Sequence, residues 1–238
     1  MFDHGFQNIP VFNIHLNNDH ILNFNIMGSY SKGANGTFSG KVGSVVGSSW
    51  RSIDYLKGLP KKSTKVATID QITQRAKFAL APLYLRPIKD ILNIGFGDKK
   101  LNKITGYNAA VKVFLTQAVG GVYPDFEVDY SKMVMSKGSL SVFHGLGSTL
   151  QGNDLILTWQ SILNRYNSFA DDALIVIIFN ETKMMYLIYE EMSRADLTYT
   201  VSIGPEFAGD VFYTWAFALK REGDVVANSQ YLGSFTMP

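Results

Sequence analysis

Gly36-Thr-Phe-Ser-Gly40-Lys41-Val42 is the stretch of this chain most like a phosphate loop. Such a loop needs four residues between its glycines, then Lys, then a hydroxyl that holds magnesium, then a helix. Here three residues separate the glycines, Val42 replaces the hydroxyl and β-like sequence follows. The glycines are therefore read as allowing close strand packing, not as cradling a nucleotide. Gly95-Phe-Gly97 and Gly145-Leu-Gly147 fail the dinucleotide fingerprint and read as loops. Paired carboxylates, which could divide acid and base roles, occur at Asp171-Asp172 and Glu190-Glu191, both flanking apolar runs. Neighbours along a strand point to opposite faces, so neither pair would share a proton, and both are expected as solvated strand ends.

Of four histidines, His4, His15 and His20 precede Met27 and only His144 lies in the body. A metal site drawn from His15, Asp19 and His20 competes with a plain Asn-rich polar segment, which accounts for those residues as well. No GxSxG elbow accompanies His144, which is expected in a loop. There is no Cys, which excludes thiol nucleophiles, disulfides and Cys-ligand zinc sites. No catalytic residue, metal or cofactor is expected.

The cations carry more information. Lys41, Arg51, Lys57, Lys61, Lys62, Lys65, Arg75 and Lys77 fall within 37 residues, with Trp50 and Tyr55 interleaved. Cations that neutralise phosphates, beside aromatics that stack bases, suit single-stranded nucleic acid. The same set also suits an acidic protein partner or a solvated face, and no nucleic-acid-binding motif accompanies it. The wider charge pattern agrees. Met27 to Lys103 holds fourteen Lys or Arg against four Asp or Glu, a net of +10, whereas Ile104 to Pro238 holds eight against fourteen, a net of −6. The near-neutral total of +2 thus conceals a basic half joined to an acidic one, a pattern of anionic partners or of head-to-tail self-association.

The elements that would position these residues follow from periodicity. Residues 36–60 read as a glycine-rich hairpin or strand pair, with Val42, Val45, Val46, Trp50, Ile53 and Tyr55 between small residues. PKKSTKVAT is a basic loop. Thr68 with Gln71 forms a capping box that predicts a helix from Ile69 to Ala81, with Ile72, Ala76, Ala79, Leu80 and Leu83 on one face. Pro82 and Pro87 then break or kink the chain before a second helical segment to about Leu92. Residues 107–118 fit a helix or an amphipathic strand. VDYSKMVMS and SLSVF read as short strands. From Asn153, alternation in Leu155, Leu157 and Trp159, the apolar run DALIVIIFN, and KMMYLIYEE, LTYTVSIG, VFYTWAFAL and QYLGSFTM predict six or seven strands of an immunoglobulin- or fibronectin-like β-sandwich. Trp159 and Trp215 are expected in its core.

The fold class expected is thus mainly β with a helical segment (α+β). Three regions are expected: residues 1–26 as a leader, 27–150 as a basic hairpin-and-helix module, and 151–238 as the sandwich. No apolar run reaches a bilayer span of ~18 residues, and no charged n-region of a signal peptide is present. The cytoplasm and a non-standard export route both fit. For residues 1–26 two readings stay open: translated upstream sequence before Met27, or an extra strand built on Val11, Phe12, Ile14, Leu16 and Ile21.

GTFSGKVGSVVGSSWRSIDYLKGLPKK, TIDQITQRAKFALAPLYLRPIKD, GYNAA and VDYSKMVMSKGSL, with ALIVIIFN, EFAGD and NSQYLGSF later, resemble an uncharacterised protein family of Bacteroidota known only as a domain of unknown function. The resemblance spans Met27 to Pro238 and implies a start near Met27. It carries over no catalytic residue. The functional expectation is a non-enzymatic structural protein, self-assembling into a homo-oligomer or filament through its basic and acidic ends. The alternative is a binding module, for nucleic acid through the basic half or for glycan through aromatics on the sandwich. Both rest on the candidate set Lys41, Trp50, Arg51, Tyr55, Lys57, Lys61, Lys62, Lys65, Arg75 and Lys77, or on the exposed sandwich surface.

Overall fold

The computed structural model describes residues 29–30, 38–50, 53–61, 64–97 and 104–238, with backbone only for Ser29, Tyr30 and Trp50. The leader, and with it the site imagined from His15, Asp19 and His20, lies outside these residues. The chain divides between Val66 and Ala67 into two compact units. The helices therefore belong to the same unit as the strands after residue 150, not to the glycine-rich strands before them.

The first unit is an antiparallel sheet in the order β1-β2-β3-β4: β1 Ser29–Tyr30, β2 Phe38–Val42, β3 Val45–Trp50 and β4 Ile53–Gly58. Three strands thus stand where a hairpin or strand pair was expected. Gly43-Ser44 closes β2 onto β3 as a two-residue turn. Gly43 takes φ +59°, a left-handed conformation that glycine adopts without steric cost. Gly47 has a different role. A Cβ there would collide with the backbone and ring of Phe38, so close approach of β2 and β3 requires the missing side chain.

The second unit opens with three helices: α1 Ile69–Leu85, α2 Lys89–Gly95 and α3 Gly106–Val113. The expected capping box is formed. The Gln71 amide donates to Thr68 Oγ1 at 3.4 Å, and the Thr68 amide donates to Gln71 Oε1 at 3.3 Å. The helix nevertheless runs through Pro82 and stops at Arg86, whose amide donates to the Pro82 carbonyl. Pro82 removes the bond to the Phe78 carbonyl, but Phe78 and Pro82 are both exposed, where water can take its place. Pro87 then ends what Pro82 could not. The buried stripe also differs from expectation: Ala81 and Leu85 are buried, while Ala79 and Leu83 are exposed. After α3 the chain makes one π-helical turn, Phe114–Ala118, and enters a small hairpin of β5 Val119–Val122 and β6 Asp125–Val128. VDYSKMVMS and SLSVF are not strands. Beyond Val128 the first holds a 3-10 turn at Tyr130–Lys132, and the second contributes only an isolated bridge at Leu140.

Two further sheets follow. β7 His144–Gln151, β8 Asp154–Gln160 and β11 Thr198–Ser202 form one in the order β11-β8-β7. β9 Ala173–Asn180, β10 Met185–Ser193, β12 Val211–Leu219 and β13 Gln230–Thr236 form the other, in the order β10-β9-β12-β13. All pairings within both are antiparallel. β9 explains the architecture. Leu174, Val176 and Ile178 join Leu155, Leu157 and Trp159 of β8 in one buried cluster. Ile175, Ile177 and Phe179, on its other face, join Leu85, Leu92 and Phe114 of the helical layer in a second. The unit is mainly β, with a sheet packed on one face of β9's sheet and three helices on the other. Trp159 lies in the sandwich core as expected. Trp215 does not: it is buried on the helical side.

Candidate anionic-partner surface

Register places the expected cations. Val46 pairs with Lys41 on one side and with Lys57 on the other, and Ser48 pairs with Tyr55. Residues opposite one another across antiparallel strands share a face, so Lys41, Lys57 and Tyr55 are brought together on one face of the small sheet. Trp50 holds the position opposite Ile53 in the same register. Every residue of β4 is exposed, and Lys61 follows it, exposed, toward the end of the unit. Lys65 lies in the segment before α1. Arg51 and Lys62 fall outside the described residues.

Arg75 and Lys77 belong to the second unit, on the first half of α1. With Gln74, Phe78, Leu115 and Thr116 they line a groove between α1 and the π-helical turn. Its lining is apolar through Phe78 and Leu115 and cationic through Arg75 and Lys77. The extra residue of a π turn shifts the side chains that follow it, and such turns recur at functional sites. Sequence reasoning found the two cations but not Phe78, because the apolar face of the helix was placed elsewhere.

The carboxylates divide. Glu190 and Glu191 are exposed, in an irregularity of β10 between Tyr189 and Met192. Asp171 is exposed and pairs with Arg221 at 3.1 Å. Asp172 corrects the expectation of a solvated strand end, because both it and Arg194 are wholly buried. Arg194 Nη2 and Nε donate to Asp172 Oδ2 at 3.1 and 3.2 Å, Nη1 donates to the Val142 carbonyl and Nη2 to the Ser141 carbonyl. The guanidinium lies 4.3 Å from the centre of the Phe143 ring. This network joins three segments: the one before β7, the loop before β9 and the turn after β10. His144 opens β7 instead of lying in a loop, with Nε2 3.3 Å from Ser141 Oγ.

A second polar group lies under the helices. Tyr130 and Tyr213 stack at 4.0 Å, and their hydroxyls donate to the two oxygens of Glu181 at 3.1 and 3.3 Å. Burial first, then the neighbouring Tyr84, pushes the Tyr130 hydroxyl far above the ordinary tyrosine range. It therefore stays a donor and not a base, and the group pins β9's end to the helical layer. Among the described residues, no helix is long and apolar enough to cross a membrane.

A model described as "Family of unknown function (DUF6266)" matches residues 37–233. The chain belongs to that family. The family match takes in the small sheet from β2 onward, the helices and nearly all of both sandwich sheets, so it spans the boundary between the two compact units and covers part of the first and nearly all of the second. Among curated proteins no match to the chain is found.

Proposed function

We propose that this chain is a non-enzymatic structural protein that self-assembles by setting its basic end against the acidic body of another copy. The observation that carries this reading is the pair of exposed lysines, Lys41 and Lys57, that flank half-buried Val46 on a sheet belonging to a separate compact unit. Cations on a thin, exposed sheet serve no core, whereas the body beyond Lys103 holds the surplus of carboxylates, among them exposed Glu190 and Glu191. The fold reading that accompanies it is a fibronectin-like sandwich. Its support is the division of seven strands into β7-β8-β11 and β10-β9-β12-β13, with the fourth strand paired to the third, where a constant-type immunoglobulin domain pairs it to the fifth.

The test is the solution mass of the full chain, freed of nucleic acid, against salt. Exposed charges are screened over about 8 Å at physiological ionic strength, so mass is expected to rise with protein concentration at low salt and to fall as salt is added. Association that ignores salt would remove the charge-driven reading.

One observation favours a second reading, a nucleic-acid-binding module: Tyr55 shares its face with Lys41 and Lys57. Single-stranded DNA binding would then lose about one unit of salt slope for each phosphate contact removed by neutralising Lys41 or Lys57. The glycan version is weaker, because Trp159 and Trp215 are both buried.

A further inference from the structure

The loop between β8 and β9 presents an unusual tip. Ile162 and Leu163 are about half exposed, at 48% and 52%, and Tyr166 is 77% exposed. An apolar tip of this kind would ordinarily collapse or move, but this one is held. Asn164 Oδ1 accepts from the Tyr166 and Asn167 amides at 2.9 Å each. The Asn164 amide donates to the Ser168 carbonyl at 2.9 Å, and Ser168 Oγ donates to the Ile162 carbonyl. Asn167 ties the loop to the segment before β7, through its side chain to the Ser139 carbonyl and through its own carbonyl to the Ser141 amide. Below it, Asp172 is locked to Arg194. The tip is pre-organised, and a rigid apolar and aromatic projection is what a binding anchor requires.

The groove between α1 and the π-helical turn has the opposite shape and complementary chemistry. Phe78, 57% exposed, and Leu115 offer apolar surface, and Arg75 and Lys77 offer positive charge. The loop of the tip also carries exposed Asp171, paired with Arg221, and the turn tied to it through the Ala195 amide carries exposed Asp196, which accepts from Ser193. Arg165, the cation of the tip, lies back along it, its Nη2 2.9 Å from the Tyr166 hydroxyl and its guanidinium 5.1 Å from that ring's centre.

We propose that copies of this chain associate head to tail, the Ile162–Leu163–Tyr166 tip of one seating in the Phe78–Leu115 groove of the next. This rests on the self-assembly reading above and adds an apolar anchor to it, distinct from the contact made by the Lys41–Lys57 face. Two different patches of one surface make a heterologous interface, which propagates into an open chain unless its rotation closes a ring.

That geometry gives the test its form. Leu163→Asp spoils the tip and Phe78→Asp the groove; both side chains are exposed, and circular dichroism checks that each full-length variant keeps the native spectrum. In sedimentation at low salt, the wild type is expected to form species larger than dimers. Each variant alone is expected to self-associate at least about tenfold more weakly, a loss typical of an anchor residue. An equimolar mixture of the two is expected to stop at dimers, because it holds one intact tip and one intact groove. A wild type that associates while both variants match it would overturn this contact and leave the charge-driven reading standing. Variants that fail to pair although the wild type associates would overturn it equally. A monomeric wild type would remove both.

Discussion

Arg194 has Nε, Nη1 and Nη2 each committed as donors, to one carboxylate and two carbonyls, with no exposure to water. Its partner Asp172 keeps a second oxygen, Oδ1, that finds no hydrogen bond among the described residues. A buried pair of this kind adds little over a well-packed apolar pair, but removing one member strands the other charge. Asp172→Ala is therefore expected to cost about 3–5 kcal/mol in urea unfolding, most of it the penalty of an orphaned guanidinium. A loss below about 1 kcal/mol, the scale of an exposed pair, would mean that water reaches Arg194 in the folded protein. Local pattern carries no warning of this role. Asp171 and Asp172 are adjacent and of one type, yet one faces solvent and Arg221, the other the interior and Arg194. Which of two neighbours turns inward depends on where a residue 22 positions away arrives, and local pattern does not carry that.

Among the elements, those whose cause is local were legible. The capping box of α1 needs only Thr68 and Gln71, and the alternation of β8 needs only its own seven residues. Those whose cause is tertiary were not. Pro82 reads as a stop because a proline inside a helix costs a hydrogen bond, but the helix continues because packing of Ala81, Tyr84 and Leu85 against the sheet outweighs it. Pro82→Ala restores the donor at an exposed position and is expected to stabilise the protein by about 1–2 kcal/mol, after the added freedom of the unfolded chain is subtracted. A lower thermal midpoint for this variant would mean that the proline ring itself contributes to packing at that turn. The small sheet was half legible: its strands are marked by Val and Tyr, but the turn at Gly43-Ser44 is hidden among other Gly and Ser residues. The basic site was legible as a composition and not as a place. Three of its members share a sheet face, two line a groove on another unit, and only register and packing could separate them.

For the whole molecule, the strands of the sandwich were readable one by one, but its third layer was not. A run apolar on both faces tells that β9 is covered twice and does not tell by what. Helices supply the second cover, which is why the unit begins at Ala67 and not near residue 150. Limited trypsin digestion is expected to cut first around Lys61 and Lys65, both exposed, and to leave a resistant fragment running from near Val66 to the C-terminus. Mass spectrometry of that fragment decides between the two boundaries, since a product starting near residue 151 would require the helices to be separable from the sandwich.

The double cover of β9 also has a consequence in time. As the chain is synthesised, ALIVIIFN emerges without a charge, proline or glycine in it, while β12, its neighbour in the sheet, begins only at Val211. β10 takes one edge of β9 from Met185 onward, but until β12 appears the other edge of this most buried strand stays unpaired and adhesive, and the run matches the kind of segment that seeds cross-β stacking. The yield of soluble protein should therefore depend less on the stability of the folded state than on how quickly Val211–Leu219 follows Ala173–Asn180 out of the ribosome.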